Sequence, residues 1–159
     1  MNFKPAQISS NDTKRVEAVH RSGATEDIDS NLYEIYCFLA KEITGCPVSW
    51  TGVIDSEKQV ILARDGFPDD VPNEMPRNQT LCQFALEKKQ PLIINNMVKD
   101  ARFQYHPAVT DFGVKFYAAF PIVTSDGYTL GTLCVSDKKE RKITKQKIRL
   151  LMGLAKKRD

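Results

Sequence analysis

Four cysteines are the side chains of this sequence best suited to nucleophilic or redox chemistry: Cys37, Cys46, Cys82 and Cys134. No two of them form a CxxC pair, and His20 and His106 have no partner at metal-ligand spacing. The pattern predicts reduced, mostly buried thiols and no metal site. Cys82 opens a predicted short helix, whose terminus could lower the pKa of the thiol and make it sensitive to oxidants. The favoured interpretation of Cys82 is a small buried apolar side chain.

Two further groups of residues could bind a ligand. Arg102 could hold an anion by a bidentate hydrogen bond. The favoured alternative is that Asp100 caps a helical turn, Arg102 fixes the loop and Phe103 fills the core. Several aromatic residues could line a pocket or only pack, and both interpretations stay open. The candidate pocket residues are Trp50, Leu81, Cys82, Phe84, Asp100, Arg102, Phe103, Phe116 and Tyr117.

The composition is that of an ordinary globular domain, with 159 residues, 42% hydrophobic, 27% charged and a net charge of +3. No apolar run is long enough for a transmembrane helix and no signal peptide is visible, so a cytoplasmic protein is expected. Basic residues gather near both ends, where a solvated helix face is favoured over contact with nucleic acid or a membrane. No Ser-His-Asp arrangement or glycine-rich phosphate loop points to an enzyme.

The elements that must position these side chains begin with two helices. Residues 1–27 are predicted to form a polar extension with a short helix over 14–20, and residues 28–159 one domain. The first helix of that domain starts at the capping residues 29–31 and ends at Gly45. Helical spacing predicts its buried stripe as Leu32, Ile35, Tyr36, Leu39, Ala40 and Ile43.

The middle of the chain alternates strand and turn signals. Runs rich in β-formers predict strands at 48–54, 59–63 and 92–94. Between them we expect a loop at 66–77, a short helix at 79–88 presenting Leu81, Phe84 and Ala85, and mixed short helices and loops at 95–113.

The clearest local signal is a β-hairpin over 115–136, with its turn at Asp126-Gly127. A last helix follows, capped by Thr144 with Ile143 and Ile148 as a hydrophobic staple. Its buried stripe is predicted as Ile148, Leu151, Met152 and Ala155. In the first hairpin strand both alternating sets of side chains are apolar, so both faces of the sheet must be covered. A pocket is expected on the face covered by residues 95–113.

Ordered along the chain, six short motifs resemble those of a GAF domain of the branch found in bacterial histidine kinases and diguanylate cyclases. They are Leu81-Cys82-Gln83-Phe84-Ala85, Pro91-Leu92-Ile93-Ile94, Asp100-Ala101-Arg102-Phe103, the strand from Val114 to Pro121, Asp126-Gly127, and Leu130-Gly131-Thr132-Leu133-Cys134-Val135-Ser136-Asp137. The resemblance spans residues 28–155.

This resemblance implies an α+β, PAS-like fold: an antiparallel sheet of five to six strands, with helices on one face and short helices and loops over a pocket on the other. It also implies a sensory domain of bacterial signal transduction that binds a small molecule. Such a domain dimerises through its terminal helices and relays the signal to an output domain or partner. The ligand is not identified, and no bilin-attachment cysteine is recognised.

Two alternatives remain. One is a ligand-free dimerisation module, and the less favoured is a thiol-dependent free methionine sulfoxide reductase. The helical pattern that runs to Asp159 predicts a fragment, or a helix that continues as a signalling coiled coil.

Overall fold

One six-stranded antiparallel sheet organises the protein. The computed structural model describes residues 2–23 and 30–156. Neighbouring strands follow the order β3-β2-β1-β6-β5-β4. The strands are β1 (Val48–Ile54), β2 (Lys58–Asp65), β3 (Glu74–Pro76), β4 (Leu92–Ile94), β5 (Phe116–Val123) and β6 (Thr129–Asp137). The predicted α+β architecture is confirmed.

Helices cover one face of this sheet, and shorter turns cover the other. The α-helices are α1 (Asp12–Ser22), α2 (Ser30–Thr44), α3 (Pro107–Thr110) and α4 (Lys145–Ala155). Of these, α1, α2 and α4 pack on the same face. The opposite face carries α3 and 3-10 helices at Arg77–Gln79, Cys82–Ala85 and Met97–Lys99. Among the described residues, no helix is long and apolar enough to cross a membrane.

The sheet separates two hydrophobic cores, as predicted from the doubly apolar strand. The helix-side core contains Phe116, Phe120 and Leu133, whereas the opposite core contains Trp50, Tyr117 and Cys134. Because adjacent residues of a strand point to opposite faces, β5 and β6 contribute to both cores. All nine residues of β6 are buried.

The predicted buried stripe of α2 is wrong for three of its members. Leu32 is 43% exposed, Ile35 53% and Leu39 37%. Ala40, a member of the predicted stripe, is buried, as are Cys37 and Thr44, which the prediction left out. These three small side chains also recur at helical spacing, and they allow α2 to lie close to the strands. Of the predicted capping residues, Asp29 lies outside the described residues, as do the side chains of Ser30 and Asn31.

Two predictions in the middle of the chain also need correction. The expected loop at 66–77 contains strand β3, which pairs antiparallel with β2. The expected helix at 79–88 is instead a 3-10 helix over Cys82–Ala85, and another 3-10 helix, Arg77–Gln79, follows Pro76. 3-10 helices are usually short, and they are frequent as connectors between longer elements. The short helices and loops predicted at 95–113 are confirmed.

The two clearest local signals are confirmed. Gly127 closes the β5–β6 turn with a φ of 93°, a conformation that side chains other than glycine rarely adopt. The Thr144 side chain accepts a hydrogen bond from the Lys147 amide at the start of α4. Leu151 and Ala155 of the predicted stripe are buried, and Ile148 and Met152 pack against the same core.

Helix α1 is packed into the fold although it precedes the predicted domain. Its Ala18 and Val19 lie in the helix-side core. Arg15 donates to the carbonyl oxygens of Ile54 and Thr129 at 2.7 and 3.0 Å. The predicted boundary at residues 27 and 28 falls outside the described residues and stays a prediction.

Candidate functional site

A cavity of about 810 Å³ lies on the sheet face opposite the helices. Strands β1 and β2 form its floor, and the loop after β2, the turn before Cys82 and the segment around α3 form its walls. Gly66 holds the loop against the start of β1. A Cβ at this glycine would lie 2.0 Å from the Pro47 carbonyl oxygen, so the loop needs glycine here.

The floor of the cavity is apolar and aromatic. The Trp50 ring lies 4.9 Å from that of Phe67 and 5.9 Å from that of Tyr117, measured between centroids. Ile61 and Leu81 add aliphatic surface beside Trp50. Most of a small ligand bound here would therefore contact apolar side chains.

Gln59 has a hydrogen-bond acceptor without a partner in these apolar surroundings. Its side chain lines the cavity, it is 4% exposed, and its Oε1 has no hydrogen-bond partner. A shift in strand register opposite Thr51 and Gly52 turns Gln59 and Ile61 towards the cavity while Ala63 packs in the helix-side core. An unpaired buried carbonyl costs about 1–3 kcal/mol, so the site favours a ligand that donates a hydrogen bond.

His106 fixes the wall opposite Trp50. Its Nδ1 accepts from the Ala108 amide at 3.0 Å and thereby caps α3. The other ring nitrogen, Nε2, must then carry the proton, and it donates to the Gln79 carbonyl at 2.7 Å. Burial lowers the pKa of this imidazole, against the opposing effect of the Gln79 carbonyl. His106 is thus held neutral beside the cavity.

A pair of cysteines closes the inner end of the cavity. Cys82 lines it from the 3-10 helix Cys82–Ala85, and its Sγ lies 3.3 Å from the Sγ of Cys134 in β6. The Tyr117 hydroxyl donates to Cys82 Sγ at 3.1 Å. Hydrogen bonding from Cys134 lowers the pKa of Cys82 despite burial, whereas burial raises the pKa of Cys134.

The structure brings together only part of the predicted site. Trp50, Leu81 and Cys82 line the cavity. Phe84, Phe103 and Tyr117 form the packed layer behind it, with Phe84 and Phe103 edge to face at 4.9 Å. Phe116 lies in the helix-side core, across the sheet, and cannot reach the cavity. Ligand binding by the first three residues stays a prediction.

Asp100 and Arg102 lie away from the cavity and bond to each other. The Arg102 side chain is 51% exposed, and its guanidinium donates to Asp100 at 3.1 Å. Asp100 also accepts from the Arg102 amide at 2.9 Å. Burial opposes ionisation of Asp100, but these bonds outweigh it and lower the pKa of the carboxyl. The Asp100 turn and the buried Phe103 agree with the structural alternative, whereas these bonds of Arg102 stay within its own loop.

Four cavity residues that the sequence did not single out shape the site: Phe3, Gln59, Phe67 and His106. Phe3 comes from the N-terminal segment and packs edge to face on His106 at 4.7 Å. Pro107 gave a signal for the start of α3, because proline favours the first position of a helix, but nothing local indicated that His106 would cap it. Phe3 and Phe67 carry no local signal. No group of three or more metal-ligating side chains occurs within residues 2–23 and 30–156.

Comparison with known proteins agrees with this geometry. The family model for the GAF domain matches residues 30–157. A cyclic di-GMP phosphodiesterase from Pseudomonas aeruginosa is 27% identical over 124 residues, which are 77% of this chain and 21% of that protein. The chain thus spans about a fifth of the length of this relative.

Solved structures share the fold at low sequence identity. The GAF domain of the Acinetobacter phosphoenolpyruvate-protein phosphotransferase has a TM-score of 0.68 at 13% identity, covering 93% of this chain and 90% of that chain. Free methionine-R-sulfoxide reductase from Neisseria meningitidis has a TM-score of 0.64 at 17% identity, covering 98% of this chain and 92% of that chain.

Proposed function

Because the chain belongs to the GAF domain family, we propose that it is a sensory domain that binds a small, uncharged and largely apolar molecule. The molecule occupies the cavity over β1 and β2 and donates a hydrogen bond to Gln59. The domain relays occupancy to an output domain or partner protein. The relative named above is a cyclic di-GMP phosphodiesterase of which such a domain covers only 21%, which supports a regulatory role beside a separate output domain.

The unpaired Oε1 of Gln59 carries this proposal. Gln59 lines a cavity of about 810 Å³, a volume typical of small-molecule sites, and this buried oxygen has no hydrogen-bond partner. Among the described lining residues, Asp137 is already paired with Arg141, and Lys138 is exposed. His106 is held neutral. A charged ligand would therefore lose hydration without gaining a matched partner.

Native mass spectrometry of the purified protein tests this proposal. We expect a retained small molecule, or, if the cavity empties during purification, a rise in melting temperature with phenol or indole as probes. Gln59→Leu should lose this response, because it removes the acceptor and keeps the side-chain bulk. Gln146→Leu, at an exposed position of α4, is the matched control. An unchanged response in Gln59→Leu, or no binding at all, would contradict the proposal.

We also propose that two copies of the chain pair through α2 and α4. Leu32, Ile35, Phe38 and Leu39 leave an apolar face on α2, and Ile35 and Phe38 are 53% and 54% exposed. Helix α4 packs beside α2 and adds Leu150, which is 51% exposed. A second copy presents the same apolar face, so one two-fold contact covers both.

Light scattering coupled to size exclusion tests the pairing. The wild type should elute as a dimer, and Ile35→Lys should give the monomer mass because it places a charge in the centre of the contact. Val98→Lys, at a residue 48% exposed outside these helices, should leave the dimer intact. A monomeric wild type over the accessible concentration range would refute the pairing.

The free methionine sulfoxide reductase alternative is favoured by one observation, the close approach of Cys82 and Cys134 at the cavity. That substrate is a zwitterion, and the carboxylate that lines the cavity within the described residues, Asp137, is already paired with Arg141 and cannot hold its ammonium group freely. A thiol-coupled assay on free methionine sulfoxide distinguishes the two functions. We expect no turnover above that of Cys82→Ser, and robust turnover would replace the sensory proposal.

A further inference from the structure

Two buried thiols meet where β6 passes beneath the 3-10 helix Cys82–Ala85. Cys82 Sγ and Cys134 Sγ are 3.3 Å apart, and both cysteines are free. A disulfide bond is about 2 Å long. The two sulfurs must therefore approach each other by only about 1 Å to form the bond.

Hydroxyl groups surround this pair and orient it. Tyr117 donates to Cys82 Sγ at 3.1 Å and its oxygen lies 3.5 Å from Cys134 Sγ. Thr132 Oγ1 lies 3.0 Å from Cys134 Sγ. A thiolate formed at Cys82 would be stabilised by these donors, and hydrogen bonding lowers the pKa of this thiol. A core position that needed only small apolar side chains would not require a tyrosine hydroxyl between them.

The cavity gives a small oxidant a route to one sulfur of the pair. Cys82 lines the cavity, whereas Cys134 is fully buried behind it. Cys37 and Cys46 lie across the sheet in the helix-side core, and burial raises the pKa of both thiols. Cys82 thus borders the cavity beside a resolving thiol, and the two cysteines across the sheet serve as internal controls.

We propose that Cys82 and Cys134 form a dithiol switch that hydroperoxides close to a disulfide. The Cys82 thiolate attacks the terminal oxygen of the peroxide, the O–O bond breaks, and the alkoxide takes up a proton to leave as an alcohol, or as water from hydrogen peroxide. Cys134 then attacks the Cys82 sulfenic acid sulfur. The S–O bond breaks, and hydroxide leaves as water with the Cys134 proton. The two thiols lose two electrons, which the peroxide gains.

The disulfide would tie the 3-10 helix Cys82–Ala85 to the centre of the sheet. Cys82 would withdraw from the cavity wall towards β6, next to the strand that carries Trp50. Oxidation would therefore reshape the ligand site, and a thiol reductant would restore it. This switch rests on the sulfur geometry and does not depend on which molecule the cavity binds.

Peptide mapping after peroxide treatment tests the switch. The folded protein is exposed to hydrogen peroxide, its remaining thiols are blocked with N-ethylmaleimide in denaturant, and it is digested with trypsin without reductant. We expect residues 78–88 linked to residues 116–138, with the mass of two hydrogen atoms lost. Cys37 and Cys46 should be recovered as maleimide adducts. Equal oxidation of all four cysteines, or none in the folded protein, would overturn the proposal.

Single variants establish the order of the steps. In Cys134→Ser the reaction should stop at a Cys82 sulfenic acid that dimedone captures, and in Cys82→Ser, Cys134 should stay reduced. Circular dichroism verifies that both variants are folded. A Cys134 that oxidises as fast without Cys82 would refute the assigned roles.

Tyr117 is assigned a positioning role, which Tyr117→Phe tests without changing the shape of the side chain. Loss of a hydrogen bond to an ionised sulfur should slow disulfide formation about ten-fold. The pH profile of Cys82 alkylation in the Cys134→Ser background should also move to higher pH. A merely structural tyrosine would leave this profile unchanged, and that outcome would remove Tyr117 from the switch.

Discussion

At the scale of single residues, the chemistry of the cavity depends on a few isolated polar side chains among apolar ones. Gln59 presents an unpaired acceptor, and His106 uses both ring nitrogens to hold the wall. Each is buried, so each is sensitive to a change of partner or protonation that an exposed residue would tolerate. The clearest consequence is a pH dependence at His106.

His106→Asn should remove a loss of stability that the wild type shows in mild acid. The unfolded histidine takes up its proton near the ordinary pKa of 6.5, and burial lowers the pKa of the folded one. The stabilisation is therefore complete above pH 6.5 and is lost as pH falls through the lowered pKa. Asparagine keeps the helix cap without titrating. Urea unfolding in this range should show the variant gaining about 1 kcal/mol on the wild type; parallel pH profiles would contradict the assignment.

At the scale of elements, the N-terminal helix is bound to the rest of the fold by buried charge. Asp12 accepts from Arg77 at 2.7 Å and from Arg15 at 2.9 Å, while Arg15 also donates to carbonyls at the end of β1 and the start of β6. Burial opposes ionisation of Asp12, but the bonds from Arg77 and Arg15 outweigh it and lower the pKa of the carboxyl. Removing this carboxylate would leave two buried cations without their partner.

Asp12→Ala should lower the free energy of unfolding by about 3–5 kcal/mol. Arg21→Ala is the matched control, because the Arg21–Asp126 pair is 58% exposed on both sides and should contribute less than about 0.5 kcal/mol. Chemical denaturation of both variants makes the comparison. Similar small losses would show that α1 is not held by this network.

The close packing of strands β1 and β6 requires a glycine at position 131. A Cβ at this position would lie 1.9 Å from the Gly52 carbonyl oxygen in the neighbouring strand. Gly131→Ala should therefore destabilise the protein by more than about 3 kcal/mol or prevent its folding. Gly153→Ala is the control, because the added Cβ meets nothing within 4 Å. Alanine is also favoured over glycine inside a helix, so thermal unfolding should show the free energy of unfolding rise by about 0.5–1 kcal/mol in this variant.

At the scale of the whole molecule, one sheet divides two cores that share their strands. Adjacent residues of β5, such as Phe116 and Tyr117, belong to opposite cores. Neither core can lose its packing without disturbing the strands that support the other. The cavity on one face and the helices on the other are therefore mechanically connected, as the proposed sensory role requires.

Unfolding should accordingly be a single transition. Trp50 is the one tryptophan of the sequence and lies in the cavity-side core, so its fluorescence reports that face. Far-UV circular dichroism reports the helices of the other face. The two signals should have the same midpoint in urea. A lower midpoint for Trp50 would show that the cavity side opens independently.

The sequence by itself determined the elements whose signals are local. The Asp126-Gly127 turn, the Thr144 cap and the doubly apolar strand β5 depend on neighbouring residues and the strand period, and each was predicted correctly. The same pattern placed a pocket on the face away from the helices, and the ordered motifs identified the family.

Only the tertiary structure decided which side chains meet. Helix α2 has two overlapping stripes at helical spacing, and the approach of the sheet buried Cys37 rather than Ile35. The register shift between β1 and β2 turned Gln59 into the cavity, and chain separation gave no hint that Cys82 and Cys134 touch. Periodicity fixes which residues share a face, but packing between distant segments fixes what that face contacts.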